Sequence, residues 1–207
     1  MDRYAEFFAF VGAPGRGKTT QLIQAIEFKL SKGDRALVIV PDLKEKAWFP
    51  YFAKNGIIAS EDLEEKFNPN FKGVQLVEYE EKITFPFLQK LFKKNDLKNL
   101  NLVLDDPWYI EGRPEQDLLK VVKRARQMSC DVWTNAHHLD QIPQALIPYI
   151  TVYGLMYTRG PIVLRRKQLG HLEEAKMYVD RVAGVSRTNK LKYHHIAYIK
   201  EDGTKYC

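Results

Sequence analysis

The sequence predicts an α/β fold in which helices cover both faces of a mostly parallel sheet. Three observations predict it: apolar runs alternate with segments of helical periodicity, a glycine-rich loop follows the first run, and two carboxylates close a later run. Buried parallel strands have continuous apolar sequences of this kind because both of their faces are covered. The 207 residues, 45% of them hydrophobic, suffice for one domain with a substantial core.

The first predicted elements surround a glycine-rich loop. A strand at residues 7–11 is followed by GAPGRGKT at residues 12–19 and by a helix predicted over residues 20–30. This order is typical of a phosphate-binding loop, in which glycines let backbone N–H groups surround phosphate oxygens. The motif predicts that Lys18 contacts the terminal phosphates and that the Thr19 hydroxyl is a ligand of Mg2+. The predicted nucleotide-binding residues are Gly12, Ala13, Pro14, Gly15, Arg16, Gly17, Lys18, Thr19 and Thr20.

The rest of the predicted core continues the alternation. The predicted strands are 36–40, 73–77, 100–104, 131–136 and 150–157, and the predicted helices are 80–94, 114–128 and 141–146. An irregular insertion is expected over residues 42–72, where Trp48 belongs to a cluster of aromatic residues that would pack on the edge of the core.

The segment after residue 158 breaks this rhythm. It contains two helical candidates, 162–169 and 172–182, and a hairpin over 193–206 that turns at Asp202 and Gly203. We therefore predict a core over residues 1–158 and a small helical and hairpin appendage of the same domain over residues 159–207.

The net charge of +6 lies entirely in this appendage. Residues 1–158 have 21 basic and 21 acidic side chains, whereas residues 159–207 have 11 basic and 5 acidic ones. Such asymmetry indicates either a surface that faces a polyanion or a solvated basic face without a ligand.

Two carboxylates follow the apolar run at residues 100–104. In P-loop hydrolases the carboxylate at the first position, here Asp105, reaches Mg2+, usually through water, and the second, here Asp106, orients or polarises the attacking water. The alternative is a pair of aspartates that caps a turn before Pro107. Hydrolases of this kind more often have glutamate at the second position, so Glu111 is a reserve candidate for the base.

The strand at residues 131–136 is followed by two histidines. In the order of the motifs, His137 or His138 occupies the position of a sensor, a polar side chain that contacts the terminal phosphate and the attacking water. The alternative is an ordinary loop histidine. Upstream, Arg124 and Arg126 end a predicted helix, where they form either an arginine finger or a solvated helix face.

Other classes of site and location are disfavoured. Cys130 and Cys207 have no metal-ligand spacing, and we expect both to be free thiols. No apolar run approaches the roughly 18 residues that a membrane span needs. The N-terminus lacks the layout of a signal peptide, so we expect a location in the cytoplasm or wherever a partner carries the protein.

The segments GAPGRGKT, LVLDD, RARQMSCDVWTNAHH and DQIPQALIPYI resemble the FtsK–HerA superfamily. Within it they are most similar to the viral DNA-packaging ATPases of double-jelly-roll viruses, in particular those of the turreted icosahedral viruses of Sulfolobus. The resemblance extends over residues 5–157 and leaves the tail unmatched. It implies a P-loop NTPase fold of the RecA/FtsK-like, additional-strand type, with ATP and Mg2+ as cofactors.

The resemblance also implies a function and a set of site residues. The activity would be ATP-driven translocation of double-stranded DNA, without sequence preference, into a preformed capsid. The enzyme would form a ring, would dock on capsid or membrane-vertex proteins, and would be found in the host cytoplasm and at the vertex of the virion or procapsid. The implied catalytic residues are Lys18, Asp105, Asp106, Arg126 and His137, and the implied metal ligands are Thr19 and Asp105.

Within that set, Arg126 would act on the neighbouring subunit, with Arg124 as the alternate, and His137 stands where the family usually has glutamine. From charge alone, the candidate DNA contacts are Arg165, Arg166, Lys167, Arg187, Lys190 and Lys192.

Two other functions are compatible with the phosphate-binding loop. A small nucleotide or nucleoside kinase has a similar size, but such enzymes usually need an arginine-rich lid. Between residues 106 and 131 the sequence has three arginines, Arg113, Arg124 and Arg126, and they do not form a cluster typical of a lid. An assembly ATPase of filamentous phages is the other, but its relatives have a membrane span.

Overall fold

The computed structural model describes residues 5–43, 48, 57–58, 70–79, 84–94, 99–109, 114–157, 176–177, 179–181, 196–200 and 205–206. The chain divides into two compact units. The first unit contains Met1–Phe7 and Thr19–Thr134, and the second unit contains Phe8–Lys18 and Asn135–Cys207.

The strands are β1 (Phe7–Val11), β2 (Arg35–Val40), β3 (Ile57–Ile58), β4 (Val74–Glu78), β5 (Leu100–Leu104), β6 (Asp131–Ala136), β7 (Val152–Met156), β8 (Ile196–Lys200) and β9 (Lys205–Tyr206). The α-helices in the described residues are α1 (Lys18–Ser31), α2 (Thr84–Lys94) and α3 (Pro114–Gln127). Short 3-10 helices lie at Pro107–Tyr109, Leu139–Gln141 and Ile147–Tyr149.

The first unit is built on a parallel sheet. Its strands follow the order β3, β4, β2, β5 and β6, and every neighbouring pair is parallel. Leu37 in the central strand β2 lies opposite Gln75 of β4 and Leu102 of β5. All five residues of β5 are buried, which explains its uninterrupted apolar sequence apart from Asn101.

Helices α2 and α3 pack against each other in the first unit. Leu118, Val121, Val122 and Ala125 form the buried face of α3, at the spacing of an amphipathic helix. The pKa of Asp117 in the first turns of α3 is lowered, chiefly because its carboxylate accepts a hydrogen bond from Lys120.

A buried ion pair fixes the start of β6. The carboxylate of Asp131 is fully buried, and its Oδ2 lies 2.7 Å from the Nζ of Lys29 on α1. Its Oδ1 accepts a hydrogen bond from the backbone N–H of Glu6 at 3.0 Å, and the carbonyl of Glu6 accepts one from Val132. These partners supply the hydrogen bonds that a buried carboxylate needs.

The second unit has a mixed sheet. Strand β1 pairs with β7 in parallel, with Ala9 opposite Tyr153. On the other side of β7, β8 runs antiparallel, with Ile199 opposite Tyr153, and β9 pairs antiparallel with β8. The C-terminal hairpin predicted over 193–206 therefore continues the sheet beyond β7.

Most elements that the sequence predicts are confirmed, as is the α/β class with a mostly parallel sheet. The predicted helix over 141–146 is wrong, because the chain forms 3-10 turns at Leu139–Gln141 and Ile147–Tyr149 instead. The Oε1 of Gln141 accepts hydrogen bonds from the N–H groups of His137 and His138 and closes a tight turn. A helix that continued from Leu139 would lack a donor at Pro143. The irregular insertion contains a two-residue strand, β3, which is too short to have a detectable periodicity.

Other predictions concern residues that the structure covers only in part. The helical candidates at 162–169 and 172–182 lie largely outside the described residues, and the boundary after residue 158 stays a prediction. Cys130 is buried and forms no disulfide, and its Sγ donates to the carbonyl of Asp131, whereas Cys207 lies outside the described residues. None of the described helices has the length and apolar character that crossing a membrane requires.

Candidate active site

The glycine-rich loop joins β1 to α1 and adopts backbone angles that favour glycine. Gly15 has φ of 72° and Gly17 has φ of 85°, both in the left-handed region. A Cβ in that region costs about 1–2 kcal/mol, which explains why glycine occupies these two positions. Among the described residues, and leaving aside Gly15 and its two chain neighbours, no atom lies within 4 Å of where a Cβ at Gly15 would stand.

The start of the loop is anchored within the second unit. The N–H of Gly12 donates to the carbonyl of Ala136 at 3.0 Å, and the N–H of Ala13 donates to the carbonyl of Tyr157 at 2.9 Å. A Cβ on Gly12 would lie 2.7 Å from the Cβ of Met156, closer than such atoms can approach. Gly12 is therefore required by close packing against β7.

Lys18 is the first residue of α1, and it is 95% buried, with a relative exposure of 5%. Its Nζ donates a hydrogen bond of 2.8 Å to the carbonyl of Gly12 and lies 2.9 Å from the Nδ1 of His137. An ammonium can only donate hydrogen bonds, so the Nδ1 of His137 is the acceptor in this contact. The structure thus brings together the lysine and the histidine that the motifs single out.

The segment that bears His137 is itself fixed. The side-chain Oε1 of Gln141 accepts hydrogen bonds from the N–H of His137 at 2.7 Å and from the N–H of His138 at 3.1 Å. His138 is exposed, whereas His137 is half-buried. Of the two histidines considered from sequence, His137 is therefore the one that contacts Lys18.

One further contact involves Arg16, a position at which the GxxxxGKT motif specifies no residue. The guanidinium of Arg16 lies 4.6 Å from the centre of the Tyr157 ring, a cation–π arrangement. Together with the Ala13 hydrogen bond, it holds the loop to the residue that follows β7. Neither Tyr157 nor Gln141 belongs to a motif with fixed spacing, so no pattern in the sequence predicts a role for either residue.

The two carboxylates lie in the first unit, directly after β5. Asp105 is 4% exposed, and its N–H donates to the carbonyl of Ile39 at 2.9 Å. Its Oδ2 accepts a hydrogen bond from the indole Nε1 of Trp48. Asp106 has φ of 44°, in the left-handed region, which aspartate tolerates better than most residues.

The residues present fit the groups that the motifs imply. The loop glycines and the buried Lys18 form a cradle suited to phosphate oxygens. Within the part of the chain that the structure describes, no three or more His, Cys, Asp or Glu side chains gather as a metal site. Mg2+ usually takes only one or two carboxylates and completes its shell with water and phosphate oxygens, so Asp105 and Thr19 are compatible with it.

The predicted arginine finger lies on the surface of the first unit. Arg124 and Arg126 both belong to the last turn of α3, where Arg126 is exposed and Arg124 is half-buried. Glu111 lies outside the described residues, as do the six basic residues proposed to contact DNA.

Comparison with solved structures shows the fold along nearly the whole chain. The genome packaging NTPase of Sulfolobus turreted icosahedral virus 2, in complex with AMPPCP, is similar with a TM-score of 0.70 at 15% identity, over 98% of this chain and 96% of that one. The DNA-packaging ATPase of Sulfolobus turreted icosahedral virus is similar with a TM-score of 0.65 at 12% identity, over 100% and 97%. VirB4 of Thermoanaerobacter pseudethanolicus is similar with a TM-score of 0.55 at 9% identity, over 76% and 79%.

These likenesses establish a P-loop NTPase fold for this chain at low sequence identity. No protein-family model and no curated protein sequence matches the chain.

Proposed function

We propose that this chain is an ATP-hydrolysing translocase of double-stranded DNA that packages a viral genome into a preformed capsid. The observation that carries the proposal is the contact between Lys18, held in the glycine-rich loop, and His137 after β6. Through this contact, a phosphate bound by Lys18 would change the surroundings of the polar side chain of His137.

In this proposal the loop and Lys18 hold the triphosphate. Backbone N–H groups of the loop surround phosphate oxygens, and Lys18 donates to the terminal phosphates. To do so, Lys18 exchanges its hydrogen bonds to Gly12 and His137 for bonds to phosphate oxygens. His137 is thereby released when the nucleotide binds, and this change is the signal that a sensor needs.

The two carboxylates after β5 have separate proposed roles. Asp105 and the Thr19 hydroxyl are the proposed ligands of Mg2+, which when bound offsets negative charge on the phosphates. Asp106 is the proposed base, which orients the attacking water and accepts its proton. The two successive carboxylates directly follow β5, and the backbone turns at Asp106, which has a positive φ.

Arg126 completes the proposed machinery from a second copy of the chain. Its exposure at the end of α3 makes it available to another subunit, where a guanidinium would stabilise charge on the transferring phosphoryl group. Hydrolysis would then require a ring, and an isolated chain would be a slow ATPase.

The fold shared with two genome-packaging NTPases, over 98% and 100% of this chain, supports the packaging role. The basic tail supports a contact with DNA phosphates. The proposed partners are double-stranded DNA, further copies of the chain, and capsid or membrane-vertex proteins. The proposed locations are the host cytoplasm and the vertex of the virion or procapsid.

Phosphate release in the presence and absence of double-stranded DNA tests this function. We expect ATP hydrolysis that DNA stimulates and that Lys18→Ala abolishes. A small nucleotide or nucleoside kinase would ignore DNA and would transfer phosphate to a nucleoside or nucleotide acceptor instead. Unchanged hydrolysis in Lys18→Ala would remove the phosphate-binding role of the loop.

A further inference from the structure

We propose that Trp48, in the insertion between β2 and β4, is a positioning residue for the metal-binding carboxylate of Asp105. The inference rests on the proposed function, because it assigns a partner to the Mg2+ ligand of that site. The structural basis is the hydrogen bond that the indole Nε1 of Trp48 donates to the Oδ2 of Asp105, across 57 positions of the chain.

Burial makes this hydrogen bond significant for both partners. Trp48 has a relative exposure of 0%, and it is among the largest side chains in the core. A buried indole N–H needs an acceptor inside the protein, since water cannot reach it. Asp105 is 4% exposed, and a carboxylate so shielded needs donors to remain ionised.

The choice of acceptor gives the tryptophan more than a packing role. Trp48 could have satisfied its N–H with a backbone carbonyl, as most side-chain donors do. Instead it donates to a side-chain oxygen directly after β5, where the backbone N–H of Asp105 is also fixed, to Ile39. These two bonds restrict the orientation of the carboxylate before any ligand arrives.

A carboxylate oriented in this way is a better metal ligand. A side chain that binds a metal is oriented by its own hydrogen-bond partners. Loss of such a partner typically weakens metal affinity by about 10–100-fold. Indole is an uncharged donor, so it orients the carboxylate without adding a positive charge that would oppose Mg2+. In this proposal Trp48 assists metal binding through Asp105.

The test is the equilibrium affinity for the nonhydrolysable ATP analogue AMPPNP, measured by calorimetry with Mg2+ and again with EDTA. Trp48→Phe keeps an aromatic ring and removes only the donor and the larger ring. The Mg2+-dependent gain is the ratio of the affinity with Mg2+ to the affinity with EDTA. We expect this ratio to be about tenfold smaller in Trp48→Phe than in the unaltered protein, while the affinity with EDTA stays unchanged. Trp133→Phe is the matched control, because it makes the same change at a tryptophan of β6 that is 8% exposed; it should keep the full gain.

A double mutant localises the effect. Asp105→Asn removes the charged ligand, so adding Trp48→Phe to it should change the Mg2+-dependent gain no further. An additional loss in the double mutant would show that Trp48 acts elsewhere and would overturn the proposal. Thermal unfolding of each variant identifies general destabilisation, which would lower affinity equally with Mg2+ and with EDTA and would also count against a positioning role.

The outcomes separate this inference from the function on which it rests. If the unaltered protein shows no gain from Mg2+, the metal site itself is absent and the proposed function fails. If that gain exists and Trp48→Phe retains or increases it, the hydrolase stands but Trp48 does not position Asp105.

Discussion

The Nζ of Lys18 lies 2.9 Å from the Nδ1 of His137, although 119 positions separate the two residues in the chain. Lys18 belongs to the glycine-rich loop, and His137 follows the strand whose last carbonyl, at Ala136, accepts the N–H of Gly12. The loop follows β1 and the histidine follows β6, and the bond between Gly12 and Ala136 joins these two strand ends. A nucleotide that draws Lys18 towards its phosphates must change the environment of His137.

Replacement of His137 should separate binding from turnover. His137→Ala removes an acceptor that competes with phosphate for Lys18, so affinity for AMPPNP should be unchanged or up to about tenfold tighter. The rate constant kcat should fall by about 10²-fold, because a polar group that responds to the transferring phosphate is lost. His137→Gln offers an amide oxygen to Lys18 and should retain most of the activity. Weaker binding with an unchanged kcat would contradict a sensing role.

Asp106 is expected to act on the attacking water. Asp106→Asn keeps a side chain that tolerates a φ of 44° but cannot accept the proton, so kcat should fall by about 10²-fold or more. The melting temperature should remain the same, which distinguishes loss of a base from loss of structure. If Asp106→Asn keeps full turnover while Glu111→Gln does not, the base is Glu111.

Arg126 should be required for turnover and dispensable for binding. Arg126→Ala removes a charge from the transition state, and losses of this kind are about 10³-fold or more in kcat. Mixing Arg126→Ala with Lys18→Ala should partly restore activity, because some interfaces then combine an intact loop with an intact arginine. Arg124→Ala tests the alternate, and a loss of turnover there with full turnover in Arg126→Ala would assign the arginine finger to Arg124. Normal assembly without rescue would exclude action between subunits.

Gly12 should be irreplaceable for steric reasons. In Gly12→Ala the new Cβ would meet the Cβ of Met156 at 2.7 Å, and relief of such an overlap typically costs about 1–3 kcal/mol of unfolding free energy. Urea unfolding would measure the loss. In a Met156→Gly background the same substitution should cost much less, and an equal cost in both backgrounds would place the strain elsewhere.

DNA binding should weaken steeply with salt, since phosphate contacts release counterions. Removing three tail charges together, at Arg165, Arg166 and Lys167, should reduce the slope of log affinity against log salt by about 3. The matched control removes three exposed lysines of the first unit, Lys72, Lys93 and Lys120. If the control reduces the slope equally, the effect belongs to net charge and the tail has no special contact with DNA.

The sequence alone predicted the helices, strands and loops that depend on residues close together in the chain. The strand, loop and helix around residues 12–19 follow from apolar periodicity and from glycines that permit a positive φ. The prediction of a helix at 141–146 was wrong, because apolar periodicity does not detect the features that favour short turns there. Pro143 and the side chain of Gln141 favour short turns there over a regular helix.

The sequence by itself determined the α/β class, the glycine-rich loop and the carboxylates that follow β5, because each depends on neighbouring residues in the chain. Only the tertiary structure decided that His137 contacts Lys18 and that Trp48 donates to Asp105. These pairs are joined by strand register and by the packing of an insertion without regular periodicity. Contacts of that kind depend on the whole arrangement of the chain, so no local pattern of residues could reveal them.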